Sequence, residues 1–171
     1  MKTIKVILII ITIIAVAFFA TGLIVKEVNY SVEIEIDKPV EEVFALFTAP
    51  ETLQKWMPEI KDFETIDEKD GKVGSTYKMV VDNQGQEMVM FEKILAYIPN
   101  QKMTFEFNSD QMLKTDDFNF VANGNKTKLI QNCSVNSKSY IAACLFPYFK
   151  GTFANASLEY MNRFKKIAES N

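Results

Sequence analysis

Histidine is absent from the 171-residue chain. Without imidazole there is no Ser-His-Asp or Cys-His relay, and the usual nitrogen ligand for zinc is missing. Cysteine is scarce: Cys133 and Cys144 are too few for a disulfide framework and too isolated for a metal site. Two buried free thiols are expected, with a disulfide between them as the alternative in an exported domain. Charge of one sign is lacking as well. Lys and Arg number 19 against 22 Asp and Glu, for a net charge of −3 without a basic block. Nucleic-acid binding therefore has no electrostatic footprint. Nor is there a Gly-rich phosphate loop, a paired-Asp metal signature or a nucleophile elbow. Neither a metal nor a cofactor is expected.

What the chain does have is apolar residues, at 48%. They are concentrated first in residues 6–25, "VILIIITIIAVAFFATGLIV", a run without a charge. About 20 residues at ~1.5 Å each give roughly 30 Å, the thickness of a bilayer core. The run reads as a retained membrane anchor occupying residues 1–27. A cleaved signal peptide is the competing reading, with cleavage near Ala15–Ala17 or Ala20. Lys2 and Lys5 precede the run, whereas Lys26 is offset by Glu27, which places the N-terminus in the cytoplasm and residues 28–171 outside it. Four N-x-S/T matches, at Asn29, Asn125, Asn132 and Asn155, are expected by chance in so Asn-rich a chain.

Beyond the anchor, "YSVEIEIDK" alternates, with Val32, Ile34 and Ile36 on one face and Ser31, Glu33, Glu35 and Asp37 on the other. That is a half-buried strand. Asp37 is placed to cap a helix in which Val40, Val43, Phe44 and Phe47 recur at helical spacing. Pro50 ends it, and Thr48 with Glu51 stand at capping-box spacing for a second short helix that buries Leu53, Trp56 and Met57 and stops at Pro58. Turn signals then separate six strands, near 61–67, 74–82, 86–98, 101–109, 114–122 and 126–136, with a hairpin turn at Asn123-Gly124. A final helix over 139–168 carries Phe146, Phe149, Phe153, Ala156, Tyr160, Phe164 and Ile167 along one face, with Pro147 and Gly151 either kinking it or delaying its start. Burying both this stripe and the apolar sheet face requires an antiparallel sheet curled around the helix.

This element order, with "IDKPVEEVFALFTAPETLQKWMPEI", Gly74 opening a strand and "YIPNQKMTFEF", resembles the START/Bet v 1-like (SRPBCC) superfamily, particularly its polyketide cyclase/dehydrase and lipid-transport branch. The resemblance covers Tyr30 to Ala168. It implies an α+β helix-grip fold: a seven-stranded curved antiparallel sheet wrapped around the long C-terminal helix, with two short helices after the first strand. It also implies a cavity for a small hydrophobic or lipid-like ligand between sheet and helix.

On that reading the ligand-lining candidates are Phe47, Trp56, Tyr77, Met79, Met90, Phe105, Phe107, Phe118, Phe120, Phe149 and Phe153. Each of them also serves as ordinary core at these spacings. Trp56, the single tryptophan, is either a pin for its helix or a ligand contact. The one candidate acid is Glu92. It faces inward if Met88, Met90, Ile94 and Ala96 do, and outward if Val89, Phe91, Leu95 and Tyr97 face in. Asp116 and Asp117, near a turn, read as surface. The expected role is a binding protein held at the membrane by residues 6–25. A protein-interaction module of co-chaperone type, its partner unspecified, and a cyclase/dehydrase-type enzyme using Glu92 are the alternatives.

Overall fold

The computed structural model describes residues 2–83 and 85–170. Helix α1 (Lys2–Ile24) holds the apolar run and is long and apolar enough to cross a membrane, with none of that stretch buried. Strand β1 (Val28–Ile36) follows, then α2 (Val40–Thr48), α3 (Pro50–Trp56), β2 (Ile60–Asp67), β3 (Thr76–Asn83), β4 (Gln86–Ile98), β5 (Lys102–Asn108), β6 (Met112–Asn123) and β7 (Lys126–Ser137). The strands form one antiparallel sheet in the order β1-β7-β6-β5-β4-β3-β2. Consecutive strands pair as hairpins from β2 to β7, and β1 closes the far edge against β7. The chain ends in α4 (Tyr140–Leu145), a 3-10 turn over Phe146–Phe149 and α5 (Lys150–Ser170).

This is the helix-grip arrangement expected from the element order. The core lies between the concave sheet face and α5, where Val43, Phe44 and Phe47 of α2 meet Ile36, Ile94, Phe120 and Leu129 of the sheet and Met161, Phe164 and Ala168 of α5. Alternation explains the sheet side of it: Tyr30, Val32, Ile34 and Ile36 share one face of β1, as do Leu129, Gln131, Cys133 and Val135 on β7.

Several local expectations are corrected. Asp37 does not cap α2, whose N-cap is Pro39 without a side-chain bond; the Asp37 carboxylate instead pairs with Lys126 at 2.8 Å. No capping box forms at α3, because Thr48 donates back to the Phe44 carbonyl at 2.9 Å and Ala49 takes the cap position. The hairpin turn is centred on Gly124 and Asn125, since Asn123 pairs with Lys126, and Gly124 at φ 61° supplies the left-handed backbone that the first turn position needs. The turn signal at 82–86 includes Gln84, which lies outside the described residues.

Of the two expectations for Pro147 and Gly151 the delayed start holds: the long helix begins only at Lys150, and a short α4 precedes it across the 3-10 turn, where Pro147 lacks the amide that would continue α4. That break shifts the buried stripe to Ser157, Met161, Phe164 and Ala168. Tyr160 and Ile167 flank it, and Ala156 is exposed. Ser157 can sit in the stripe because its hydroxyl shares a hydrogen bond with the Tyr30 hydroxyl at 3.1 Å. Cys133 and Cys144 are both free and buried, on β7 and α4 respectively.

The antiparallel pairing gives the sheet two distinct ends. Where β1 begins at Val28, just after α1, β7 ends at Ser137 and β6 starts at Met112. At the other end lie Ile36, the start of β3 and the loop of residues 68–75. Helix α5 runs from the first end to the second, where Glu169 accepts the Asp37 amide at 2.8 Å.

Candidate functional site

A cavity of about 590 Å³ separates α5 and α3 from the concave face of the sheet. Phe47, on its wall, packs 4.8 Å from Phe118, 5.4 Å from Trp56 and 5.3 Å from Phe164 between ring centroids. Phe105 and Phe107 stack at 5.8 Å along β5, and Tyr77 stacks on Phe63 at 5.0 Å. The exposed members of the lining, Pro50, Thr65, Glu68 and Lys72, mark the opening, between the α2–α3 junction and β2 with its loop to β3.

Of the residues singled out from sequence, Phe47, Trp56, Tyr77, Met79, Phe105, Phe107 and Phe118 line this cavity. Four do not. Met90 packs with Ile60 and Met79 in a satellite cluster. Phe120 is core behind Phe44, at 5.1 Å. Phe153 packs on Phe146 and Tyr30 in a separate cluster, and Phe149 lies on the outside of the 3-10 turn, because the break at Pro147 removes it from the α5 stripe. Trp56 is buried, packs on Phe47 and Phe164 as the pin for its helix, and also forms part of the cavity wall.

Glu92 faces inward, with 7% of its surface exposed. Neither alternating set of β4 holds throughout, because the pairing with β5 steps between Ile94 and Ala96. Before this bulge Met90, Glu92 and Ile94 face in; after it Tyr97 does, reaching Phe44 at 5.5 Å, and Leu95 is exposed. A bulge shifts the side-chain alternation by one residue, which combines parts of both expectations.

Apart from Glu92, sequence reasoning missed the polar floor. Asp116 is buried, not on the surface, and receives the Lys114 ammonium at 2.7 Å; only Asp117 points outward, toward Lys102 and Thr104. Lys114, Asp116, Glu92, Gln131 and Ser157 all line the cavity, toward the end of the sheet where α1 attaches. Burial pushes the Glu92 carboxyl up to about 8, and the nearby Asp116 carboxylate adds to the shift. Burial opposes the Lys114 ammonium, yet Asp116, followed by Tyr30 and Cys133, holds its pKa above the ordinary lysine value. Burial, with Asp116 again, pushes the Cys133 thiol up to about 12, so it is a poor nucleophile.

Among the described residues, two buried side-chain polar atoms lack a hydrogen-bond partner: Trp56 Nε1 and Asp116 Oδ1. Both belong to residues of the cavity wall. Such atoms are rare in folded proteins and are costly until paired. Among the described residues no cluster of carboxylates and thiols is arranged to hold a metal ion.

A curved antiparallel sheet gripping a C-terminal helix around an internal cavity defines a START/Bet v 1-like protein. Residues 37–140 match the family described as activator of Hsp90 ATPase homolog 1-like protein, and the chain belongs to that family. No curated protein matches the sequence. Among solved structures, a START superfamily protein from Mycobacterium smegmatis superposes with a TM-score of 0.68 at 19% identity, covering 83% of this chain and 97% of that one. The Zhui aromatase/cyclase from Streptomyces sp. R1128 gives a TM-score of 0.68 at 11% identity, covering 84% and 94%. Truncated norcoclaurine synthase from Thalictrum flavum gives 0.64 at 14% identity, covering 85% and 95%. At these identities the likeness is one of fold.

Proposed function

We propose that residues 28–171 form a binding domain for a hydrophobic, lipid-like molecule carrying a hydroxyl or comparable polar group. Residues 1–27 hold that domain on the outer side of a membrane, with the N-terminus in the cytoplasm. The observation that carries the reading is the cavity itself: aromatic walls for an apolar body, and a floor where a lone acceptor on Asp116 awaits a donor. The unpartnered Trp56 Nε1 offers a donor to an ether, ester or carbonyl oxygen higher up. The solved structures with this fold include an aromatase/cyclase and a START superfamily protein, which supports an internal small-molecule site.

Because Trp56 is the chain's only tryptophan and lines the cavity, its emission reports occupancy in the intact, detergent-solubilised protein. A dansyl-labelled fatty alcohol should show saturable energy transfer from Trp56. Its methyl ether should bind roughly tenfold more weakly, the worth of one hydrogen bond to a buried charged group. The binding reading fails if transfer never saturates and solvent extraction of the purified protein yields no apolar molecule.

A second reading rests on Glu92 alone. A cavity carboxyl with a pKa of about 8 is mostly protonated at neutral pH and is placed to act as a general acid, as a cyclase- or dehydrase-type enzyme requires. Conversion of a β-hydroxy carbonyl probe by the wild type, lost in Glu92→Gln while binding persists, would favour it over pure binding.

A further inference from the structure

Between Lys138 and Lys150 the chain runs "SYIAACLFPYF", without a charge. The segment folds as α4 and the 3-10 turn, and it leaves its largest apolar side chains outside: Ile141 is 63% exposed, Tyr148 65% and Phe149 47%. Five large apolar or aromatic side chains exposed over ten residues would be a liability in water.

The segment does not stand alone. It is docked on the last two turns of α1, where the Tyr140 hydroxyl donates to the Phe19 carbonyl at 2.6 Å and Tyr148 stacks over Phe18 at 6.3 Å. Gly22 lies so close to α4 that an added Cβ would come within 2.5 Å of Cys144 Sγ. Phe18 to Gly22 belong to the apolar run, which continues to Val25. From Phe18 to Val25 is about 10 Å along a helix axis, the depth to which an interfacial helix sinks between headgroups and acyl chains. Whatever medium surrounds this part of α1 also surrounds α4.

We propose that α4 and its 3-10 turn are a second membrane contact, lying in the headgroup–acyl boundary of the outer leaflet beside the spanning helix. Tyr140 and Tyr148 sit where amphipathic rings are favoured, and the exposed Lys26, Lys138 and Lys150 mark the level at which the chain meets the phosphates. One spanning helix allows the domain to rotate and tilt; two contacts of different depth fix which end faces the bilayer. This rests on α1 spanning the membrane.

The test uses the full chain in phosphatidylcholine–phosphatidylglycerol vesicles, with Trp56→Phe as background. Single tryptophans are introduced by Ile141→Trp, Phe149→Trp, Val121→Trp on the outer sheet face at the end away from α1, and Ile13→Trp in α1. Lipids brominated near the headgroup should quench Ile141→Trp and Phe149→Trp at least about twofold, the depth expected of an interfacial helix, and leave Val121→Trp unchanged. Lipids brominated deep in the chains should quench Ile13→Trp. If Ile13→Trp is quenched while Ile141→Trp and Phe149→Trp behave like Val121→Trp, the second contact is disproved and the anchor stands. If Ile13→Trp is not quenched either, the anchor fails and the second contact with it.

Discussion

Lys114→Met is expected to destabilise the domain by roughly 3 kcal/mol, the low end for removing one partner of a buried ion pair, because the Lys114 side chain keeps 22% of its surface open to the cavity. The loss is larger than the Coulomb attraction suggests. Asp116 Oδ2 would lose its only ammonium, while Oδ1 already has no partner, so a buried carboxylate would be left with only the weak Cys133 thiol beside it. The same substitution brings Glu92 and Asp116 together with no cation between them. Lys114→Met combined with Asp116→Leu should recover most of the loss, since replacing a buried pair by apolar groups of similar volume is often neutral. Thermal midpoints of the detergent-solubilised proteins read both changes. A single substitution that costs less than about 1 kcal/mol would mean that water solvates the pair and the floor is wet.

Glu92→Gln should act in the opposite direction. The Glu92 carboxyl has an ordinary value of 4.5 and is raised to about 8 in the fold. Below 4.5 both folded and unfolded forms are protonated, and Glu92 has no effect on the pH dependence. Between 4.5 and about 8 the unfolded chain releases a proton that the folded protein keeps, so stability falls as pH rises; above about 8 the penalty is complete. The amide has no such penalty. Glu92→Gln should therefore match the wild type near pH 4 and exceed it by a few kcal/mol near pH 9. Equal stability at alkaline pH would show that the ionised carboxylate finds a partner, and would remove the general-acid reading as well.

The fold was legible because its signals are periodic and repeated. Period-two alternation on β1 and β7, helical spacing in α2, and Pro50 and Pro58 as breaks each identified an element without help from tertiary contacts. Half of the cavity was legible in the same way, since Phe105, Phe107 and Phe118 lie on inward faces that alternation defines. The rest of the polar floor beyond Glu92 carried the same signal and went unread. On β6, parity places Lys114 and Asp116 on the face of Phe118 and Phe120, but four consecutive polar residues at the start of a strand read as a wet end. Two features were not legible. The bulge that turns Tyr97 inward depends on the partner strand, and the position of Phe149 depends on where the chain resumes helix after Pro147.

The two ends of the sheet also define a height. On a bilayer spanned by α1, β1 leads away from the membrane for nine residues, about 30 Å at ~3.3 Å per residue, as far again as the hydrocarbon is thick. The opening beside Pro50, Glu68 and Lys72 lies at the top of that climb, and the polar floor lies at its foot. If residues 1–27 anchor the domain as proposed, it stands as a stemmed cup with its rim turned outward. On that proposal, a ligand entering past Pro50, Glu68 and Lys72 would come from the side away from the bilayer.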